Sequence, residues 1–195
     1  MDKNTRLTRF SAKLTGIRPI MFDRYAGDMK TQLSPMDRTY QAGGFLVIPM
    51  LNVFSLLAAK NTDSVARIFY GKGARDLSVG VTAFVEIDPV DAADGGGSAY
   101  LLDETGAKIA ADDSRITVLR HVARVKKGSM AVPSLKDRPT FPRGWQVRLN
   151  VQHAENQFLS PDTLKSMLSQ GGVLGLGTFR PIFGRYAAEF GEWIQ

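Results

Sequence analysis

The segment Gly171-Gly172-Val173-Leu174-Gly175-Leu176-Gly177-Thr178-Phe179-Arg180-Pro181-Ile182-Phe183-Gly184-Arg185-Tyr186 gathers residue types that suit anion binding. Five glycines fall within fourteen residues, interleaved with Phe179, Phe183, Tyr186, Arg180 and Arg185. Glycine lets a backbone approach closely and adopt positive φ. Exposed amides around Gly175, Gly177 and Gly184 can hold phosphate oxygens. Arg180 and Arg185 can pair with phosphate or stack on a base, and aromatic rings can stack on bases. The alternative is a loop whose aromatics plug the core. The segment is no Walker loop, since no Gly-Lys-Ser/Thr follows. It is no dinucleotide fingerprint either, because it leads from helix to strand.

The second chemical feature is charge. The chain of 195 residues carries a net charge of +6, unevenly spread. Val85 to Asp113 holds eight acids against Lys108 alone. The 34 residues from Arg115 to Arg148 hold nine bases (Arg115, Arg120, Arg124, Lys126, Lys127, Lys136, Arg138, Arg143, Arg148) against Asp137. That +8 stretch is the footprint expected of a phosphate-backbone binder. A solvated face neutralised by its acidic neighbour is the other reading.

Catalytic groups are sparse. His121 shares a strand phase with Leu119 and Ala123, which suits a packed histidine, and His153 suits a surface position. No pair has metal-ligand spacing. Asp88, Asp91 and Asp94 do not form an EF-hand loop, given Pro89 and no twelfth-position Glu. No Gly-x-Ser-x-Gly elbow occurs. The expectation is a non-enzyme with no cofactor and no metal. A weak metal-independent ribonuclease using His121 and Lys126 stays as an alternative, since acid–base groups need only converge in space. Cysteine is absent, which fits a reducing cytoplasm. No apolar run of about 18 residues implies a membrane span, and MDKNTRLTRF lacks a signal-peptide core.

The elements that must position these residues follow from periodicity. Phe10, Ala12 and Leu14 alternate with Arg9, Ser11 and Lys13, as in a half-buried strand. Asp23 to Tyr40 reads as a loop, Phe45 to Ile48 as a short apolar run, and Asn52 can cap a helix through Ala58. Asp63 or Ser64 can restart one, broken at Gly71 and Gly73. Val79 to Ile87 reads as a second strand. Tyr100 to Leu102 and Lys108 to Ala110 read as an acidic hairpin inserted at about 90–113. Arg115 to Val125 reads as a strand, and Lys126 to Arg143, with Pro133, Pro139 and Pro142, as a basic loop. Trp145, Val147, Leu149 and Val151 mark a further strand. Ser160-Pro161-Asp162 opens a helix, stopped at Gly171-Gly172, and Arg185 to Trp193 is the last strand. This order predicts a single α+β domain with the split βαβ arrangement: a four-stranded antiparallel sheet, two helices on one face, and sizeable insertions.

The Gly-x-Gly loop closing in Phe183-Gly184-Arg185-Tyr186 resembles the signature loop of the RAMP superfamily, which includes the backbone subunits of CRISPR interference complexes that coat guide RNA. Gly16-Ile17-Arg18-Pro19-Ile20-Met21-Phe22 and Ile48-Pro49-Met50-Leu51-Asn52 resemble the same group. Arg138-Pro139, Trp145, Gly175-Leu176-Gly177-Thr178-Phe179-Arg180-Pro181 and Trp193 are similar to small bacteriophage proteins of this type. The resemblance implies a ferredoxin-like, RNA-recognition-motif-like fold and binding along a nucleic-acid strand as a cytoplasmic oligomer, in a bacterial or phage-infected cell. The acidic hairpin is outside that pattern.

The reading is then a basic channel formed by the sheet face and the Lys126 to Arg143 loop. Arg120, Arg124, Lys126, Lys127, Arg138 and Arg143 neutralise phosphates of single-stranded RNA or DNA. Arg180 and Arg185 hold the backbone beside Gly175, Gly177 and Gly184, and Phe141 or Trp145 stacks a base. The acidic hairpin docks on the basic loop of the next copy, giving a head-to-tail homo-oligomer. A phage structural or assembly protein with an acidic protein partner is the competing reading.

Overall fold

Four strands with one apolar face each build the central sheet. In the computed structural model, which describes residues 6–27, 31, 33–58, 63–127 and 130–194, with side chains outside 123–131, the order begins with β1 (Leu7–Gly16), β2 (Ile20–Met21), β3 (Gln41–Ala42) and β4 (Phe45–Pro49). The helices α1 (Met50–Ala58), α2 (Val65–Tyr70) and α3 (Ala74–Phe84) follow, then β5 (Val85–Pro89), β6 (Ala92–Ala93) and β7 (Ser98–Tyr100). The chain continues through β8 (Thr117–Lys127), β9 (Met130–Phe141), β10 (Gln146–Ala154), α4 (Pro161–Leu174) and β11 (Tyr186–Gly191).

The central sheet has the order β11-β1-β10-β5, antiparallel throughout. Register sets Phe10, Ala12 and Leu14 opposite Val151, Leu149 and Val147. That face meets Val53, Leu56 and Leu57 of α1 and Leu164, Met167 and Leu168 of α4 in one core. Ser160 caps α4 by accepting a 3.1 Å hydrogen bond from the Thr163 amide. The fold class is α+β, as expected.

Three local expectations are corrected. Residues 74–84 form a helix, although Val79, Val81 and Ala83 alternate. Ala74, Leu77 and Val81 are the buried set, at helical spacing, while Val79 is exposed. Gly171 and Gly172 do not stop α4, which runs to Leu174. Residues 130–141, read as loop, are the strand β9. It pairs with β8 from Thr117↔Thr140 to Lys127↔Met130. Pro133 and Pro139 are tolerated because they share one parity and leave their missing donors toward the edge away from β8. The two strands make a ribbon about 35 Å long at the usual rise per residue, joined at its base to β2 through Ile20↔Phe141.

The acidic hairpin is no pendant insertion. Ala99, Leu101 and Ile109 are fully buried, and Leu102 and Gln146 exchange backbone hydrogen bonds of 2.7 and 3.0 Å. Among the described residues no helix is long and apolar enough to cross a membrane.

Gly172 shows how tightly α4 seats on β11. A Cβ there would lie 2.1 Å from the Tyr186 carbonyl oxygen. In an open helix Gly→Ala stabilises by about 1 kcal/mol. Here the sign reverses: Gly172→Ala should cost about 2 kcal/mol through overpacking, read as a lower urea midpoint at unchanged slope. A stabilised variant would contradict the packing of α4 on β11.

Candidate nucleic-acid interface

The ribbon base is organised around Arg138. Only 7% of this residue is exposed. One terminal nitrogen donates to the Asp23 carboxylate and another meets Nε2 of His121. The guanidinium carbon lies 5.4 Å from the centroid of the Phe179 ring, and the His121 and Phe179 rings meet edge-on at 4.3 Å. Asp23 also accepts 2.9 Å from Arg38. Burial alone would raise the Asp23 carboxyl. The hydrogen bond and charge of Arg138, then those of Arg38, outweigh burial and hold it below its ordinary value. The expected phosphate ligand Arg138 is therefore a buried anchor, and His121 is held by its contacts to Arg138 and Phe179.

Along the ribbon, Arg120 is exposed and bidentate with Asp137, at 2.7 and 2.8 Å. Hydrogen bonding to Asp137 strengthens its hold on the proton. The pair is open to water and easily exchanged for another anion. Arg124, Lys126 and Lys127 fall on the ribbon's distal half, and their side chains lie outside the described residues. Arg143 is exposed beyond β9 and, like Lys136, makes no ion pair among the described residues. Arg115 is bound by Asp113 at 2.7 Å and Asp103 at 3.4 Å.

Trp145 is corrected as a stacking platform. It is fully buried, donates 2.9 Å from Nε1 to the Arg18 carbonyl, and lies so close to Gly16 that a Cβ there would be 2.2 Å from its ring. Phe141 is buried as well.

The glycine-rich loop is also reassigned. Gly175, Gly177 and Gly184 have φ of +87°, +80° and +73°. Added Cβ atoms would fall 2.5 Å from the Phe183 carbonyl, 2.5 Å from that of Met21 and 1.7 Å from that of Leu176. The close approach that glycine permits is to protein. The Gly175 amide donates to Gly171, Gly184 to Pro19 at 2.7 Å, Leu176 to Gly184, and Thr178 to Met21. Those amides are spent internally. Arg180 and Arg185 are both half-buried, and among the described residues Nε of Arg185 has no hydrogen-bond partner.

The open sheet face is charge-balanced. Register places Arg9, Lys13 and Arg148 there with Glu86, Asp88 and Glu189. Arg148 is bidentate with Asp91 at 2.6 and 2.7 Å, and this pairing holds its proton more tightly. Asn150 hydrogen-bonds both the amide and the carbonyl of Ile194, and Arg9 lies over Trp193 at 5.6 Å, so the C-terminal residues cross this face. The positive channel expected on the sheet is absent there. Sequence reasoning missed Asp23 and Arg38, and it missed the partners of Asp91 and Phe179, which are remote in sequence. Among the described residues no group of His, Asp and Glu is placed to hold a metal.

A carboxyl with a depressed folded value stabilises above its unfolded value, near 3.8, and that contribution is lost as pH falls through the folded value. Asp23→Asn should cost about 2 kcal/mol at neutral pH, since it strips a buried cation of a charged partner. The deficit should be constant above about pH 5 and shrink below 3.8. Urea unfolding at pH 3, 5 and 7 measures it. A deficit that grew on acidification would refute this role.

No family model matches the chain, and no curated protein matches it. Solved structures do. One is a chain of the cryo-EM structure of the Type III-B Cmr-beta bound to cognate target RNA, at TM-score 0.52 and 10% identity, covering 96% of this chain. This chain spans 61% of that one's length. Thermofilum pendens Csc2 shares 13% identity over 98% of this chain and 68% of its own, at a TM-score of 0.30, too low to support a fold comparison. The likeness to the Cmr-beta chain is one of fold, and it supports the RAMP-like fold that the sequence resemblance implies.

Proposed function

We propose that this chain binds single-stranded nucleic acid along its phosphate backbone, without catalysis, using the β8–β9 ribbon carried on a ferredoxin-like core. The ribbon carries the reading. Besides the buried anchor Arg138, residues 117–141 hold five bases (Arg120, Arg124, Lys126, Lys127, Lys136) against Asp137, on a two-stranded ribbon. Such a density of cations is favourable beside a polyanion. The fold likeness to a chain from an RNA-bound assembly agrees with it. The sheet order β11-β1-β10-β5, with helices inserted after β1 and β10, supports the ferredoxin-like core.

Head-to-tail assembly belongs to the same proposal. The exposed acids Glu104 and Asp112 supply the surface that meets the ribbon of the next copy. Phosphates are met by Arg120, Arg124, Lys126, Lys127, Lys136 and Arg143, with Arg180 and Arg185 beside the ribbon base. Weak sequence preference follows from backbone contacts.

The experiment is fluorescence anisotropy with single-stranded RNA, single-stranded DNA and duplex DNA at several salt concentrations. Affinity for one single strand should fall with a log–log slope of about −0.7 per neutralised phosphate. Replacing both Lys126 and Lys127 by Glu should flatten that slope by about 1.4, and the labelled strand should stay intact on a gel. An unchanged slope refutes the ribbon placement. No binding at low salt would hand the basic stretch to an acidic protein partner, and cleavage lost in His121→Ala would make the chain a ribonuclease.

A further inference from the structure

Beside the ribbon base lies a cavity of about 300 Å³ that the backbone-binding reading does not use. Its lining includes Val47 and Pro49 together with Arg24, Gln41 and Asp94. The size is at the low end for ligand sites and suits one planar group. Position ties it to the ribbon. Arg24 and Asp37 flank the cavity, and their chain neighbours Asp23 and Arg38 are the pair that anchors Arg138 of β9. The Arg24 amide donates 2.8 Å to the Arg38 carbonyl, which fixes the two segments together.

The walls are unlike a phosphate site, because two carboxylates, Asp37 and Asp94, line them with one cation. Asp37 is already engaged, accepting 2.6 Å from the Ser34 hydroxyl. Asp94 is exposed at φ +51°, and among the described residues no hydrogen bond or ion pair engages its carboxylate. Arg24 uses Nε on the Asp37 carbonyl at 3.1 Å, which leaves its terminal nitrogens. Arg24 and Asp94 share one cavity without forming an ion pair. Gln41 donates from Nε2 to Thr39 and keeps its amide oxygen as an acceptor.

We infer that this cavity captures one unstacked base of the bound strand and favours guanine. The inference rests on the strand-binding reading. A carboxylate only accepts and a guanidinium only donates. Guanine alone presents adjacent N1–H and N2–H donors on its pairing edge together with O6 and N7 acceptors. Asp94 takes the donors and Arg24 the acceptors, the second being the commonest Arg–base contact. In the same orientation adenine sets its N1 lone pair against Asp94, and neither pyrimidine presents two adjacent N–H donors on its pairing edge. Unpaired bases in single strands are read this way, by their exposed edges.

The test uses oligouridine decamers carrying one central A, C or G, titrated by anisotropy against the wild type and Asp94→Asn. Asparagine keeps the left-handed backbone but replaces an acceptor-only group. The wild type should bind the G strand about tenfold more tightly, within the range of one bidentate base contact. Asp94→Asn should erase that preference and leave the all-uridine affinity unchanged. A G preference that survives Asp94→Asn overturns the assignment. Equal, salt-sensitive binding of all four strands by the wild type removes the base site and leaves the backbone reading standing. Binding of none removes both.

Discussion

A guanidinium cannot lose its charge at ordinary pH, so burying Arg138 demands partners fixed in place. Those partners come from three distant parts of the chain. Asp23 follows β2, His121 lies on β8, and Phe179 sits in the loop after α4. Two of them are themselves held, Asp23 by Arg38 and Phe179 by a loop whose amides bond to residues 19 and 21. Two-stranded ribbons have little stability of their own in water. This charged knot and the short pairing with β2 fix the base of the β8–β9 ribbon.

The glycine-rich loop serves the same purpose from behind. Close backbone approach has two uses, holding a phosphate and holding another backbone, and both require the same residue type. Steric distances decide between them. With neighbouring carbonyl oxygens 1.7 to 2.5 Å from any added Cβ, the loop is pressed against residues 18–22 and against itself. Its contribution is to set Phe179 against Arg138 and His121. A buried Tyr186 adds to this by donating 2.9 Å to the Leu168 carbonyl of α4, and burial pushes its phenol upward so that it stays a donor.

What could be read from sequence was what periodicity encodes. Phe10, Ala12 and Leu14, and Val147, Leu149 and Val151, declared their strands because one face of each is buried. Ser160 and Pro161 declared the start of α4, since capping is local chemistry. Residues 74–84 satisfied two periods at once, and only contact with the core chose the helical one. Pro133 and Pro139 argued for loop because sequence alone does not reveal which edge of a strand stays open. The anchor was illegible for a deeper reason: Asp23 and Arg138 are 115 residues apart, and nothing local in either announces the pairing.

The same long-range pairing reshapes the charge distribution. Of the bases between Arg115 and Arg148, four are ion-paired among the described residues: Arg115 with Asp103 and Asp113, Arg120 with Asp137, Arg138 with Asp23, and Arg148 with Asp91. Three of those acids come from the acidic stretch that precedes the ribbon. Most of its compensation therefore acts at the ribbon's base and on the sheet. Arg124, Lys126 and Lys127 stand further out along the ribbon. The result is a gradient, balanced near the core and increasingly positive outward. A polyanion is steered by field rather than by net charge. On the proposed reading, this arrangement draws the strand to the projection while the sheet face stays nearly neutral.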